Sequence, residues 1–227
     1  MPTSEATEPV AWDPHSKIPT DTPLSGLPVT GLACATAGLA ATAPILGVQT
    51  ACGADVRASL FLPDQPLPND PQARRSLALS HLQPEDLASG RRWEPIQPRL
   101  AAYLGRLQQG VLVTHNAAYH LGVLAARRIV PPPTIDTMRV AAALGLPMKA
   151  DELAYVLHVE TSPRGPSTGG ADATTPVKVW RALVGRLAGR SVTTWGDLLA
   201  LEVRRPADRA DWREAVRDAW RRGGGAA

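Results

Sequence analysis

The stretch Val111-Leu-Val-Thr-His-Asn-Ala-Ala-Tyr-His120, continued by Leu121-Gly-Val-Leu-Ala-Ala-Arg-Arg128, limits the folds open to this chain more than any other. Val111, Leu112 and Val113 form an unbroken apolar run, the pattern of a buried strand. Past His115-Asn116 the spacing changes: Tyr119, Leu121, Val123 and Leu124 recur as one helical face that can pack on a sheet. A strand that turns straight into a helix belongs to open α/β sheets, which put their chemistry at that turn.

The 227 residues suffice for one well-buried domain with extensions. Hydrophobic content of 44% against 20% charged residues fits a soluble globular protein. No segment approaches the roughly 18–20 apolar residues of a membrane span, so no membrane partner is expected. Met1-Pro-Thr-Ser-Glu-Ala-Thr-Glu lacks a basic start and an apolar core, so it is not expected to act as a secretory signal. Cys34 and Cys52 form neither a CxxC pair nor a disulfide framework and are expected as buried free thiols of a cytoplasmic protein. The net charge of +3 permits a nucleic-acid partner without requiring one. The pairs Arg91-Arg92, Arg127-Arg128, Arg204-Arg205 and Arg221-Arg222 are expected on solvated faces.

Residues 1–23, rich in Pro, Thr, Ser and charge, read as a disordered or loosely docked tail. Leu27–Ala37, Ile45–Cys52 and Val56–Leu62 read as three strands with short connections, an antiparallel meander. The stretch 63–71 is a proline-broken loop, and Pro84-Glu-Asp opens a helix. Ile96, Leu100, Tyr103, Leu104 and Leu107 mark another helix, which leads to the strand at Val111. Thr134-Ile-Asp precedes a helix through Met138, Val140 and Leu144, and Asp151–Leu157 is a short helix. Thr175-Pro176 is expected as N-cap and N1 of a helix carrying Val177, Trp180, Leu183 and Leu187. Residues 191–222 are expected as a helical extension, with Thr193 or Thr194 as a cap, and residues 223–227 as a flexible tail.

Local motifs sharpen this order of elements. His115-Asn116-Ala117-Ala118-Tyr119-His120 resembles the second motif of the DnaQ-like 3′-5′ exonucleases, the DEDD nucleases of the RNase T and polymerase III epsilon type. In that family an aspartate metal ligand follows the aromatic; here the residue is His120. The family's first-strand motif, Asp-x-Glu-Thr-Thr-Gly-Leu, resembles Ala33-Cys34-Ala35-Thr36-Ala37-Gly38-Leu39, with alanine at both acidic positions. Its third motif, His-x4-Asp-Ala, falls on Ser167 and Asp172-Ala173, and Ile135-Asp136-Thr137 is similar to its last short strand. The resemblance covers roughly residues 27–188. It implies a ribonuclease H-like domain over residues 24–190. The expected architecture is a mixed five-stranded sheet, the three-strand meander plus two parallel strands, flanked by helices.

The family hydrolyses phosphodiesters with two Mg²⁺ or Mn²⁺ ions, which activate water and stabilise the leaving oxygen. Such hard cations take carboxylate oxygens. Ala33 and Ala35 supply none, His120 offers a nitrogen poorly suited to Mg²⁺, and Ser167 cannot act as a general base. Asp172 alone remains, so no metal and no cofactor is expected. Thr36, His115, Asn116, Tyr119 and Asp172 are candidates for lining a nucleic-acid cleft. The residues also admit plainer roles: His115-Asn116 as a hydrogen-bonded strand end, His120 as a partly exposed helix residue, and Asp172 as a cap.

The expected function is therefore a catalytically degenerate exonuclease-like domain that binds single-stranded DNA or RNA, or a 3′ end. The alternatives are an accessory module that docks a protein partner through its tryptophan-bearing C-terminal helices, and a weak nuclease with a non-standard metal site.

Overall fold

The computed structural model describes residues 7–12, 18–63, 67, 71–107 and 110–204. The three strands of the meander are β3 (Val29–Thr36), β4 (Ile45–Cys52) and β5 (Asp55–Leu60), paired antiparallel in sequence. Two strands then add to the other side of β3. These are β6 (Val111–Thr114), parallel to β3, and β7 (Thr134–Asp136), parallel to β6. The five expected strands thus form the expected mixed sheet.

A sixth strand comes from the stretch read as a tail. Residues 7–12 form β1 (Thr7–Pro9) and β2 (Ala11–Trp12), and β2 pairs antiparallel with β7 at the sheet edge. The physical reason is an open edge: the β7 backbone needs partners, and the Asp136 N–H donates to Val10 O (3.0 Å). The tail reading is corrected for these residues.

The helices pack on both faces. On one lie α3 (Gln97–Gly105) and α4 (Ala117–Ala126), burying Leu100, Leu104, Leu121 and Leu124 against Leu32 and Leu112. On the other, α5 (Thr137–Ala143), α6 (Ala150–Val156) and α7 (Thr174–Ala188) bury Val140, Leu153, Trp180 and Leu183 against Val111, Val113 and Ile135. Two earlier helices, α1 (Pro71–Ser80) and α2 (Pro84–Ala88), follow the meander. The Pro84 start falls where the sequence placed it.

The strand β3 is built of small residues because other backbone lies flat against it. A Cβ at Gly31 would meet the Ala173 carbonyl oxygen at 2.0 Å, and on the neighbouring β4 one at Gly47 would meet that of Gly169 at 1.9 Å. Side chains at i, i+2 and i+4 share a face, so Gly31, Ala33 and Ala35 line the side that receives Ala171 and Ala173.

The C-terminal extension belongs to the same core. Thr194 caps α8 (Trp195–Ala200) by accepting from the Asp197 N–H (3.2 Å). Trp195 and Leu198 are fully buried beside Trp180, Leu183 and Leu187. Residues 18–27 lie over this helix, with Trp195 N–H donating to Thr22 O and Gly196 N–H to Thr20 O. Beyond α8 the chain becomes β8 (Glu202–Arg204), antiparallel to β1. Packing among the described residues therefore continues across the boundaries expected at 24 and 190. The expected helix at 207–222 and the tail at 223–227 lie outside the described residues.

Two smaller expectations are corrected. Cys34 is buried, but Cys52 is exposed at the turn that ends β4. Arg127 is not a solvated charge. Its guanidinium donates to the carbonyl oxygens of Ala41, Ala43 and Val123, tying the β3–β4 connection to α4.

Candidate functional site

At the end of β3 and β6 the sheet opens into a cleft of about 280 Å³. The parallel strands β3 and β6 pair only over Val29–Gly31 and then separate. This splay leaves later backbone groups of β3 unpaired on that side. One of them, the Cys34 N–H, donates to His120 Nδ1 (3.0 Å). His120 reaches it from the first turn of α4.

The turn into α4 is set by Asn116 in the left-handed conformation (φ 66°, ψ 66°), which asparagine tolerates better than most residues. A buried carboxylate holds this turn in place. Asp136 accepts the N–H groups of Asn116 (3.0 Å), Ala117 (2.9 Å) and Met138 (3.0 Å), joining the starts of α4 and α5. Its charge suits two helix N-termini, and Arg139 Nε lies 3.4 Å from its other side. Sequence reasoning saw Asp136 only as part of a motif. The signal was present, an aspartate directly before a helix, but its second helix is distant in sequence.

His115 bridges elements as well. Its Nε2 lies 2.9 Å from the Met148 carbonyl oxygen and its Nδ1 lies 3.0 Å from Thr137 Oγ1. A carbonyl can only accept, so Nε2 carries a proton. Burial holds the His115 pKa below the ordinary histidine value. Tyr119 completes the first turn of α4, its hydroxyl 2.6 Å from Thr36 Oγ1. Thr36 donates its own proton to Gly38 O, so Tyr119 is the donor of the pair. Burial pushes the Tyr119 pKa up to about 12, so the phenol stays protonated.

The structure brings Ala33, Ala35, Thr36, His115, Asn116, Tyr119, His120 and Asp172 to the wall of this one cleft. Ser167 is not among them. It sits exposed on the short turn Pro166–Thr168, because Gly169 and Gly170 behind it pack onto Ser59, Val48 and Leu82 and direct the tip of the turn outward. Ser167, matched in sequence to the family's histidine position, therefore stands away from this cleft. Arg164, from the same loop, lines the cleft and was missed because one arginine in a core-less loop carries no periodic signal.

Asp172 acts on α7. Its Oδ1 accepts the N–H groups of Thr174 (3.1 Å) and Thr175 (2.9 Å). The helix therefore begins at Thr174, one residue before the expected cap at Thr175.

The charges of the cleft wall reduce to two. Asp172 is the one carboxylate and Arg164 the one guanidinium among the described residues that line it. His120 stays neutral, since burial pulls its pKa down to about 3, with smaller like-charge contributions that include Arg164. A pair of divalent ions needs several hard oxygen donors. This set offers one carboxylate, already engaged by helix amides, and an imidazole whose Nδ1 is occupied. The donors do not fit a metal pair.

No protein-family model matches the sequence, and no curated protein matches it. Solved structures do resemble the fold. Exonuclease X in complex with 5′ overhanging duplex DNA aligns with a TM-score of 0.50 at 19% identity, covering 76% of this chain and 98% of that one. E. coli exonuclease I in complex with a dT13 oligonucleotide aligns with a TM-score of 0.55 at 11% identity, covering 73% of this chain. The match spans 42% of the exonuclease I chain. The protein shares the ribonuclease H-like mixed-sheet fold of these two structures.

Proposed function

We propose that this protein is a catalytically degenerate 3′-5′ exonuclease-like domain that binds nucleic acid, as a single strand or a 3′ end, without two-metal hydrolysis. One observation carries the reading. The cleft at the sheet end is lined at the motif positions by Ala33, Ala35 and a neutral His120, with Asp172 engaged as a helix cap. A site of this composition can receive a strand but has no donor set for the two ions that drive hydrolysis. Both fold neighbours hold DNA, which supports nucleic acid as the class of ligand.

The alternative of a docking module gains less support. Its tryptophan-bearing extension was to face a partner, yet Trp195 is fully buried in the protein's own core. Trp212 and Trp220 lie outside the described residues.

The test uses 5′-labelled single-stranded DNA and RNA with Mg²⁺ or Mn²⁺. The expected result is salt-dependent binding with no metal-dependent shortening of the strand. Shortening that persists through purification and disappears in Asp172→Asn, a change that keeps a capping side chain, would sink the proposal. So would the absence of binding to either nucleic acid at low salt.

A further inference from the structure

Far from the cleft, the sheet keeps an open edge. The strand β5 is the last of the sheet, with β4 as its one strand neighbour among the described residues. The direction of its backbone groups follows from what borders it. Phe61 N–H donates inward to Leu46 O (2.8 Å), whereas Leu62 N–H donates outward to Arg91 O (2.9 Å) and Leu60 O accepts outward from Arg91 N–H (2.8 Å). Alternation along the strand turns the N–H and C=O groups of Val56 and Ala58 outward as well. Neither makes an outward backbone bond to the described residues, and both residues are exposed. Asp55 and Arg57 share one face of the strand, pair at 2.8 Å and keep their side chains more than half exposed.

We infer that β5 is a self-association edge, pairing antiparallel with β5 of a second copy about a two-fold axis through Val56. An open edge offers its backbone to any strand, so the occupant is decided by register and charge. Outward groups must face outward groups, which places the axis at a residue rather than between two. Centred on Arg57, the pairing sets two guanidinium groups directly opposite each other, which is destabilising. Centred on Asp55, it does the same with two carboxylates. Centred on Ala58, it calls on Leu60 O, which already accepts the Arg91 N–H. Centred on Val56, it sets Asp55 of each copy against Arg57 of the other, while the two Val56 residues exchange their N–H···O bonds. The edge is then complementary to itself in both charge and backbone polarity, as a two-fold contact requires. It is also short, so the dimer should be weak, with a dissociation constant on the order of 100 μM. No β5 residue lines the cleft, so the pairing leaves that site open and is independent of what it binds.

The experiment is sedimentation velocity of the full chain from about 10 to about 500 μM, a range that spans the expected dissociation constant. The parent should pass from monomer to dimer across that range. Asp55→Arg and Arg57→Asp, each alone, should weaken association roughly tenfold or more, because like charges then face each other across the axis. An equimolar mixture of the two variants should regain the dimer, since every opposed pair is again of opposite sign. Val56→Pro should weaken it too, by removing an outward N–H that β4 does not use. Recovery in the mixture requires both charge variants to be folded, so it separates a lost contact from a lost fold. A parent that stays monomeric throughout overturns the inference, as does a mixture no more associated than its two components. Association unchanged in both charge variants also overturns it, because the contact would then lie elsewhere.

Discussion

His120 shows how one side chain can meet a backbone need that the assembled sheet creates. It satisfies the Cys34 N–H that the splayed strands β3 and β6 leave without a strand partner, a need any buried backbone donor has. That service requires a neutral ring. Its folded pKa of about 3 lies below the ordinary 6.5 of an unfolded chain. Between those values the unfolded chain binds more protons, so stability rises with pH across the window. The contribution of His120 is complete above about pH 6.5 and is lost as pH falls toward 3. Urea unfolding midpoints taken from pH 7 to pH 4 should drop less steeply in His120→Gln than in the parent. Parallel curves for the two proteins would show that the ring is not held neutral. The position of His120 was legible in the motif, but its partner was not, since Cys34 lies 86 residues away.

Among the elements, β3 is tightly constrained by close backbone. Its small residues looked in sequence like a weak strand, since glycine and alanine have low strand preference. The structure supplies the reason: α7 and the loop before it press backbone against its face. Gly31→Ala should destabilise the protein by about 1–3 kcal/mol or more through overpacking, read as a lowered thermal midpoint. An unchanged midpoint would mean that Ala173 can move aside at little cost. The same crowding bears on Ala33 and Ala35, which share the face and are themselves buried. The helices of the sheet faces were largely readable from their apolar spacing. The helix α1 was not, because its sequence PQARRSLALS has few apolar residues and buries only Ala73 and Ser80.

At the scale of the molecule, the two ends of the described chain hold each other and the sheet edge. The strand β2 completes β7, β1 pairs with β8, and residues 18–27 lie over α8. Trp195 is the centre of this arrangement, fully buried with Trp180. Trp195→Ala should cost about 3–5 kcal/mol, the usual range for removing a large buried aromatic. The loss should appear as a lower urea midpoint together with faster hydrogen exchange at Thr22, Leu24 and Trp195. Faster exchange confined to α8 would contradict the coupling of the two segments.

The mixed order of the strands was implied by the family resemblance; the sequence by itself determined the five central strands, the turn at His115-Asn116 and the alanines at 33 and 35. Those follow from local periodicity, turn chemistry and residue identity, which a linear chain carries in full. Only the tertiary structure decided the rest. It set the edge strand at residues 11–12, the clamp of Asp136 on two helices, Arg164 rather than Ser167 at the cleft, and the bond from the Cys34 N–H to His120. Each depends on which distant backbone group lacks a partner, and that is defined only once the sheet has been assembled.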